Sequence, residues 1–384
     1  MIEDIKTGSV KNSKNTESLS VSLITKNGNF SASVPSGTST GKNEASDLPI
    51  HIVEKNLFNL KKKIIGINED WRLVDKTIKK IDMTPRLSVL GGNLALGLSI
   101  ASARAETKNR LWLLGSESHI FPFQLANMIG GGKHGGNTNF QEFLLFSESS
   151  NSPIEDAKNI KSAYIAIGSE LKNKRLILGK NREAAWTSKL DDIKTLDFIS
   201  DFAEQFNMRI GIDCAASSLW NGRHYLYKDR KMNSDQQLDF VTNLIQVYKI
   251  RYIEDPFHEE DFSTFKYITG KVRRKCLVVG DDLFCTNPDR LKRGIKSASG
   301  IIVKPNQAGT LSKTFETVKL ANKNKITTIA SHRSKETKDN WLADLSVVWN
   351  SKLIKIGVGQ FDRPKTDRLI KLWNLLENSK MSSI

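Results

Sequence analysis

Asp213, Glu254, Asp281, Lys304, His332 and Lys355 each close an apolar, β-branched run, and they follow one another along the chain as acids and then bases. Carboxylates gathered in one place suit a hard, oxygen-seeking cation such as Mg²⁺, and the cationic side chains after them suit an anionic substrate. Lys304, which closes Ile301-Ile302-Val303, is the focus of the set. A lysine whose pKa is lowered by burial or by neighbouring cations becomes a base near neutral pH. Any one of these residues alone is better read as a structural ion pair; their recurrence at the ends of successive runs is what points to chemistry. A second stretch, Pro35-Ser36-Gly37-Thr38-Ser39-Thr40-Gly41-Lys42, offers hydroxyls and backbone N–H groups that can fold over a phosphate or a metal. Its Gly-to-Gly-Lys spacing is one residue short of a P-loop and no Ser or Thr follows Lys42, so a plain surface turn is an equal reading.

Positioning such a set requires strand ends that converge. Runs over 142–146, 208–213, 251–254, 277–281, 301–304, 327–331 and 353–356 read as strands, with helices at 154–172, at 234–248 and from Leu311 onward, and a closing helix that carries Leu369, Leu372 and Leu376 on one face. Strands alternating with helices from residue 120 to the end predict a closed α/β barrel, whose C-terminal mouth would collect these residues. Gly130-Gly131-Gly132-Lys133-His134-Gly135-Gly136 reads as a crossover within it. Ahead of the barrel, strands at 18–25 and 30–34 joined by Lys26-Asn27-Gly28-Asn29, then helices at 51–64, 69–82 and 92–108, predict a smaller α+β domain over 18–115. Residues 1–17, rich in Ser, Asn and Lys, are expected to be a frayed tail, and the barrel to occupy 120–384.

Composition narrows the classes. No segment approaches the ~20 apolar residues of a membrane span and the N-terminus lacks a signal-like apolar stretch, so a cytoplasmic protein is expected. The three cysteines, Cys214, Cys276 and Cys285, form no CxxC pair and suggest thiols in a reducing compartment rather than a disulfide or zinc framework. The net charge of +16 is mostly dispersed lysine. It fits an anionic substrate or a loose attraction for nucleic acid, but the basic clusters lack interleaved aromatics, which argues against a dedicated nucleic-acid module.

The same residues carry a resemblance. Val34 to Gly41, His134 with Gln141-Glu142-Phe143, Gly211-Ile212-Asp213-Cys214-Ala215-Ala216-Ser217, Ile253-Glu254-Asp255-Pro256-Phe257, Gly280-Asp281-Asp282-Leu283, Lys304-Pro305-Asn306-Gln307-Ala308-Gly309, Ser331-His332-Arg333-Ser334 and Lys355-Ile356-Gly357 resemble, in collinear order, motifs of the enolase family. The resemblance implies an enolase-type α/β barrel capped by a smaller N-terminal α+β domain, usually a homodimer. It also implies Mg²⁺-dependent dehydration of 2-phosphoglycerate to phosphoenolpyruvate in glycolysis, with two Mg²⁺ per site. Asp213, Glu254 and Asp281 would be ligands of one cation, and Ser39 of a second. Lys304 would take the C2 proton and Lys355 would face the substrate carboxylate. Arg333 and Ser334 would hold the phosphate, while His134, Gln141, Glu142 and His332 line the site, Glu142 and His332 among the catalytic residues.

Departures from the family pattern are local. Lys11-Asn12-Ser13-Lys14-Asn15-Thr16 stands where the family usually has a Ser-Arg-Gly-Asn-Pro run, in a region that commonly supports the dimer. Ser218 stands where a glutamate commonly follows Ala-Ala-Ser. The family's Gly-Asp-Glu-Gly-Gly loop, which carries the acid for the leaving hydroxyl, aligns with Gly179-Lys180-Asn181-Arg182-Glu183. Asn181 cannot supply a proton, whereas Glu183, after a shift of two residues, or Glu142 could. An enolase-like paralogue with impaired turnover is the alternative that this loop leaves open.

Overall fold

The computed structural model of the chain describes all residues except 39–40 and 116–118, and leaves aside the side chain of His134. Strands β1 (Ile2–Lys11), β2 (Glu17–Thr25) and β3 (Gly28–Ser33) form an antiparallel sheet in that order. Helices α1 (Ile50–Ile64), α2 (Trp71–Ile81) and α3 (Gly92–Thr107) follow it.

The strand β1 corrects the expectation of a frayed tail. It pairs along its length with β2, Ile5 opposite Leu23 and Lys11 opposite Glu17. Only Ile2 and Ile5 of the strand are buried, so an otherwise polar segment carries too little apolar alternation to announce itself. The turn after it is closed by the buried Asn12, whose Oδ1 accepts the N–H groups of Lys14 at 3.0 Å and Thr16 at 3.2 Å. Asn15 takes the left-handed conformation, φ 55°, that asparagine tolerates.

The barrel strands are β4 (Phe123–Gly130), β5 (Glu142–Phe146), β6 (Arg209–Asp213), β7 (Tyr252–Glu254), β8 (Leu277–Gly280), β9 (Gly300–Val303), β10 (Thr327–Ser331) and β11 (Leu353–Lys355). Among the described residues they hydrogen-bond in the order β11-β10-β9-β8-β7-β6-β5-β4, and β11 closes on β4. The barrel forecast from alternation is present, with one departure: β5 runs antiparallel to both neighbours, while the other pairings are parallel. The glycine-rich stretch is thus the loop between two antiparallel strands. It sits at the mouth, and so does the beginning, not the end, of β5.

Two helices, α4 (Pro153–Asn173) and α5 (Asp192–Gln205), flank a hairpin of Ile177–Lys180 and Trp186–Ser188 that joins the sheet beside β4. Then α6 (Ser234–Val247), α7 (Phe262–Val272), α8 (Leu311–Lys323), α9 (Trp341–Val348) and α10 (Arg363–Leu375) lie between or after the later strands. Helix starts follow ordinary capping rules. Ser152 caps α4 with Pro153 in its first turn, and Asn233 and Gln236 form a capping box on α6.

Inside the barrel Phe123, Leu125, Leu144, Phe146, Tyr252, Val279, Ile302, Ile329 and Leu353 form their own buried cluster. Side chains alternate along a strand, so the residue two positions toward the mouth shares the inward face. Glu254 lies above Tyr252, Asp281 above Val279, Lys304 above Ile302 and Lys355 above Leu353. Gly211 beneath Asp213 makes room for this layer, since a Cβ there would meet Leu144 Cβ and Tyr252 Cδ1 at 3.2 Å.

The N-terminal elements dock on the loop that carries Lys304. The first N–H groups of α8 are received by Ser99 Oγ of α3, 3.0 Å from Leu311, and by Asp75 Oδ2 of α2, 2.8 Å from Ser312. Gly309 enters this joint at φ 84°, where a Cβ would lie 2.5 Å from Leu87 Cδ1 and 2.9 Å from Ala45 Cβ.

Because Ile5 is fully buried, Ile5→Ala should destabilise the protein by about 2–5 kcal/mol, whereas the exposed Lys6→Ala changes little. Denaturant unfolding followed by circular dichroism measures both, and equal midpoints would mean that β1 is not docked.

Candidate active site

At the mouth, β6, β7 and β5 bring three carboxylates to one level: Asp213 is in register with Glu254 on one side and with Glu142 on the other. The ammonium of Lys355 lies among them, 2.8 Å from Glu254 Oε2, 2.9 Å from Asp213 Oδ2 and 3.0 Å from Glu142 Oε2. Burial alone would push the Lys355 pKa down, but Asp213, Glu142 and Glu254 outweigh it and hold the group well above its ordinary value. Glu254 is fully buried, and burial, with Asp213 next, pushes its carboxyl up to about 8. The phenol of Tyr252 donates to Glu254 Oε2 at 2.5 Å. Gln141 Nε2 donates to Asp213 Oδ2 at 3.2 Å and the Ala215 N–H to Asp213 Oδ1 at 3.0 Å.

Lys304, one residue past β9, pairs with Asp281, one residue past β8, and Gln307 Nε2 donates to the other Asp281 oxygen at 3.0 Å. From the sequence a lowered lysine pKa is expected. Here burial does pull it down, but the Asp281 charge prevails and the pKa is raised. The same ion pair keeps the Asp281 pKa below the usual carboxylate range.

His332 follows β10, its Nδ1 2.8 Å from Asp362 Oδ1. Burial opposes the charged ring, yet Asp362, through charge and hydrogen bond, lifts the pKa to about 9 and keeps an imidazolium at neutral pH. Arg333 reaches Glu44 Oε2 at 2.9 Å, an ion pair buried on both sides. Ser334 Oγ accepts the Thr38 N–H at 2.9 Å and lies 2.7 Å from Thr38 Oγ1, which ties the hydroxyl-rich loop to the segment after β10.

Gln141, Glu142, Asp213, Asp281, Lys304, His332, Arg333, Ser334 and Lys355 all line one cavity of about 260 Å³, with Glu254 buried beneath its floor. That volume is below the ~300–1,000 Å³ of sites for drug-sized ligands and suits a small polar metabolite. Ser39 and the side chain of His134 lie outside the described residues. The carboxylate oxygens of Asp255, Asp281 and Asp282 fall within 4.8 Å of one another, a grouping different from the one expected. Asp255 is already engaged there, accepting the Asp281 N–H at 3.1 Å and the Asp282 N–H at 2.7 Å. These two bonds turn the chain after β8.

Several contributors leave no signal in the sequence. Lys14 lies on the cavity wall although its segment was expected to be frayed. Glu44 and Asp362 hold Arg333 and His332 from far along the chain, and nothing in their local sequence marks them. Glu183, by contrast, is one of the two carboxylates the sequence offers as the acid, and it lines the cavity from the tip of the 177–188 hairpin. Asn181 shapes that tip: its Oδ1 accepts the N–H groups of Glu183 and Ala185, both at 3.0 Å.

Comparison with known proteins agrees with this geometry. The family model described as "Enolase, N-terminal domain" matches residues 2–114, and "Enolase, C-terminal TIM barrel domain" matches residues 118–381. Among curated relatives, the chain is 34% identical to the enolase of Archaeoglobus fulgidus over 100% of both chains. It is 36% identical to that of Picrophilus torridus over 97% of this chain and 98% of the other. With the enolase of Methanosphaera stadtmanae it shares 33% identity over 100% and 99%. Full-length matches to both halves of the fold, together with the acidic and basic strand ends at one mouth, place the chain in the enolase family of hydro-lyases.

Proposed function

We propose that the cavity dehydrates 2-phosphoglycerate to phosphoenolpyruvate, with Lys304 removing the C2 proton and Glu183 protonating the C3 hydroxyl as it leaves. The observation that carries this reading is that Lys304, Lys355, Glu142 and Glu183 line a single small cavity over carboxylates from adjacent strands. An amine and a carboxylic acid facing one substrate can serve the two proton transfers that elimination of water requires. Enolase relatives aligned over their full length favour turnover over a binding-only paralogue.

The carboxylate set also suits a divalent cation. Asp213, Glu254 and Asp281 offer hard oxygen donors, and Glu254 Oε1 is buried without a hydrogen-bond partner among the described residues. These residues would hold Mg²⁺, which would take over the charge balance that Lys304 and Lys355 now supply and stabilise the negative charge growing on the substrate carboxylate as the C2 proton leaves. With Asp281 engaged as a ligand, Lys304 would lose the stronger of the two carboxylates, Asp281 and Glu254, that raise its pKa, while burial, Arg333 and Lys355 would still pull it down. It then suits a base. Lys355 is placed to meet the substrate carboxylate, and Arg333 and Ser334 its phosphate. His332, held as an imidazolium by Asp362, adds positive charge to the wall.

Glu142 is the weaker candidate for acid, because its carboxylate lies 3.0 Å from the Lys355 ammonium. Its role is to position Lys355. A second Mg²⁺ at Ser39 and a homodimeric assembly belong to the proposal through family membership alone. A cytoplasmic location is proposed because Cys214, Cys276 and Cys285 are all free and buried. No helix among the described residues is long and apolar enough to cross a membrane.

Asp281→Ala should weaken Mg²⁺ binding at least ~10-fold, the smallest loss seen on removing even an outer partner of a metal site. Calorimetric titration with a substrate analogue present measures it, and unchanged affinity would remove Asp281 from the ligand set. For the chemistry, Lys304→Ala should abolish exchange of the C2 proton with deuterated water. Glu183→Gln should retain that exchange while slowing phosphoenolpyruvate formation, followed by ultraviolet absorbance, by about 10²–10⁴-fold. If Glu142→Gln alone gives that separation, the acid is Glu142.

A further inference from the structure

The turn after β1 is one of the segments in which this chain departs from the family pattern, and the structure brings its Lys14 to the cavity. Its side-chain lock on Asn12 is extended by Asn12 Nδ2, which donates to Thr16 Oγ1 at 2.9 Å and Ser18 Oγ at 3.0 Å. The turn is then fastened to the segment after β10. Ser13 Oγ donates to the Ser334 carbonyl at 3.0 Å and accepts the Glu336 N–H at 3.1 Å, while the Ser13 N–H reaches the Glu336 carbonyl at 2.8 Å. A backbone held at this many points fixes where the next side chain starts, so Lys14 is not a free surface lysine.

Lys14 lines the cavity beside Thr38, Arg333 and Ser334, and its ammonium donates to Thr38 Oγ1, the hydroxyl that lies 2.7 Å from Ser334 Oγ. Burial first, then Arg182 and Lys335, disfavour the charge on Lys14, while Glu183 favours it. This corner therefore gathers cations around two hydroxyls, an arrangement suited to an incoming anion with several acceptor oxygens. A phosphate monoester carries a charge near −2 at neutral pH and offers three such oxygens.

We propose that Lys14 is a substrate-binding residue of this enzyme, an additional cationic contact to the phosphate of the substrate, presented by the anchored turn 12–16. The inference rests on the reading of the cavity as a phosphoglycerate site. It makes the altered N-terminal segment a working part of the pocket wall.

Calorimetry with inorganic phosphate as the probe tests Lys14 without any turnover, and steady-state kinetics with 2-phosphoglycerate tests it in the reaction. Lys14→Met should weaken phosphate binding and raise KM, each by about tenfold, with a smaller change in kcat, as expected for losing one charge-assisted hydrogen bond. Lys14→Arg should restore most of both, and the salt dependence of KM should be shallower for Lys14→Met than for the parent. Lys6→Met, on the exposed side of β1, should alter neither. Parental phosphate affinity and KM in Lys14→Met would overturn the proposal. So would an equal fall of kcat and kcat/KM accompanied by a lower melting temperature and no rescue by Lys14→Arg, because that marks a structural role. A parent that binds phosphate through Lys14 but yields no phosphoenolpyruvate would refute the dehydratase reading and leave Lys14 as a phosphate contact.

Discussion

Burying the Lys355 ammonium is the constraint on which the barrel mouth depends. An isolated charge removed from water costs several kcal/mol, so the group is tolerable only with its carboxylates in place. Those carboxylates come from separate strands, and each needs its strand in register: Glu142 and Glu254 both stand opposite Asp213. The apolar layer below, from Phe123 to Leu353, fixes the register, because a one-residue slip would turn every inward side chain outward. Packing thus sets the geometry, and the geometry makes the charges affordable. Removing one partner from a pair of this kind typically costs about 3–5 kcal/mol through the charge left behind.

The reversed strand β5 is part of the same solution. A carboxylate at the start of a strand reaches the mouth only if that strand runs against its neighbours, as β5 does between β4 and β6. Had β5 been parallel, Glu142 would lie at the opposite end of the barrel and Lys355 would lose a counter-charge. The glycine-rich loop before it follows from that direction, since two adjacent antiparallel ends need only a short connection.

Much of this was legible from residues alone because buried parallel strands are continuous apolar runs, and a charged residue that ends one stands out. Lys304 after Ile301-Ile302-Val303 and Glu254 after Ile253 are cases of it. Direction is a different matter: 142–146 was recognisable as a strand, but nothing in its composition says which way it runs. The strand β4 and the 177–188 hairpin went unread, the first beside a glycine-rich stretch and the second too short to show a period. Pairings between distant positions, such as His332 with Asp362, leave no local trace. The shift of Lys304 was misjudged for the same reason. Its sign depends on Asp281, a neighbour in space only.

The fastening of the first turn to the segment after β10 joins positions 321 and 323 residues apart, Ser13 to Ser334 and to Glu336. A chain leaves the ribosome from its N-terminus, and contacts of such separation form only when both ends exist. The first strand can pair with the second early in synthesis, yet one wall of the pocket waits until the segment around Ser334 and Glu336 has emerged. This rim of the site is finished by joining two segments made far apart in time rather than by either alone.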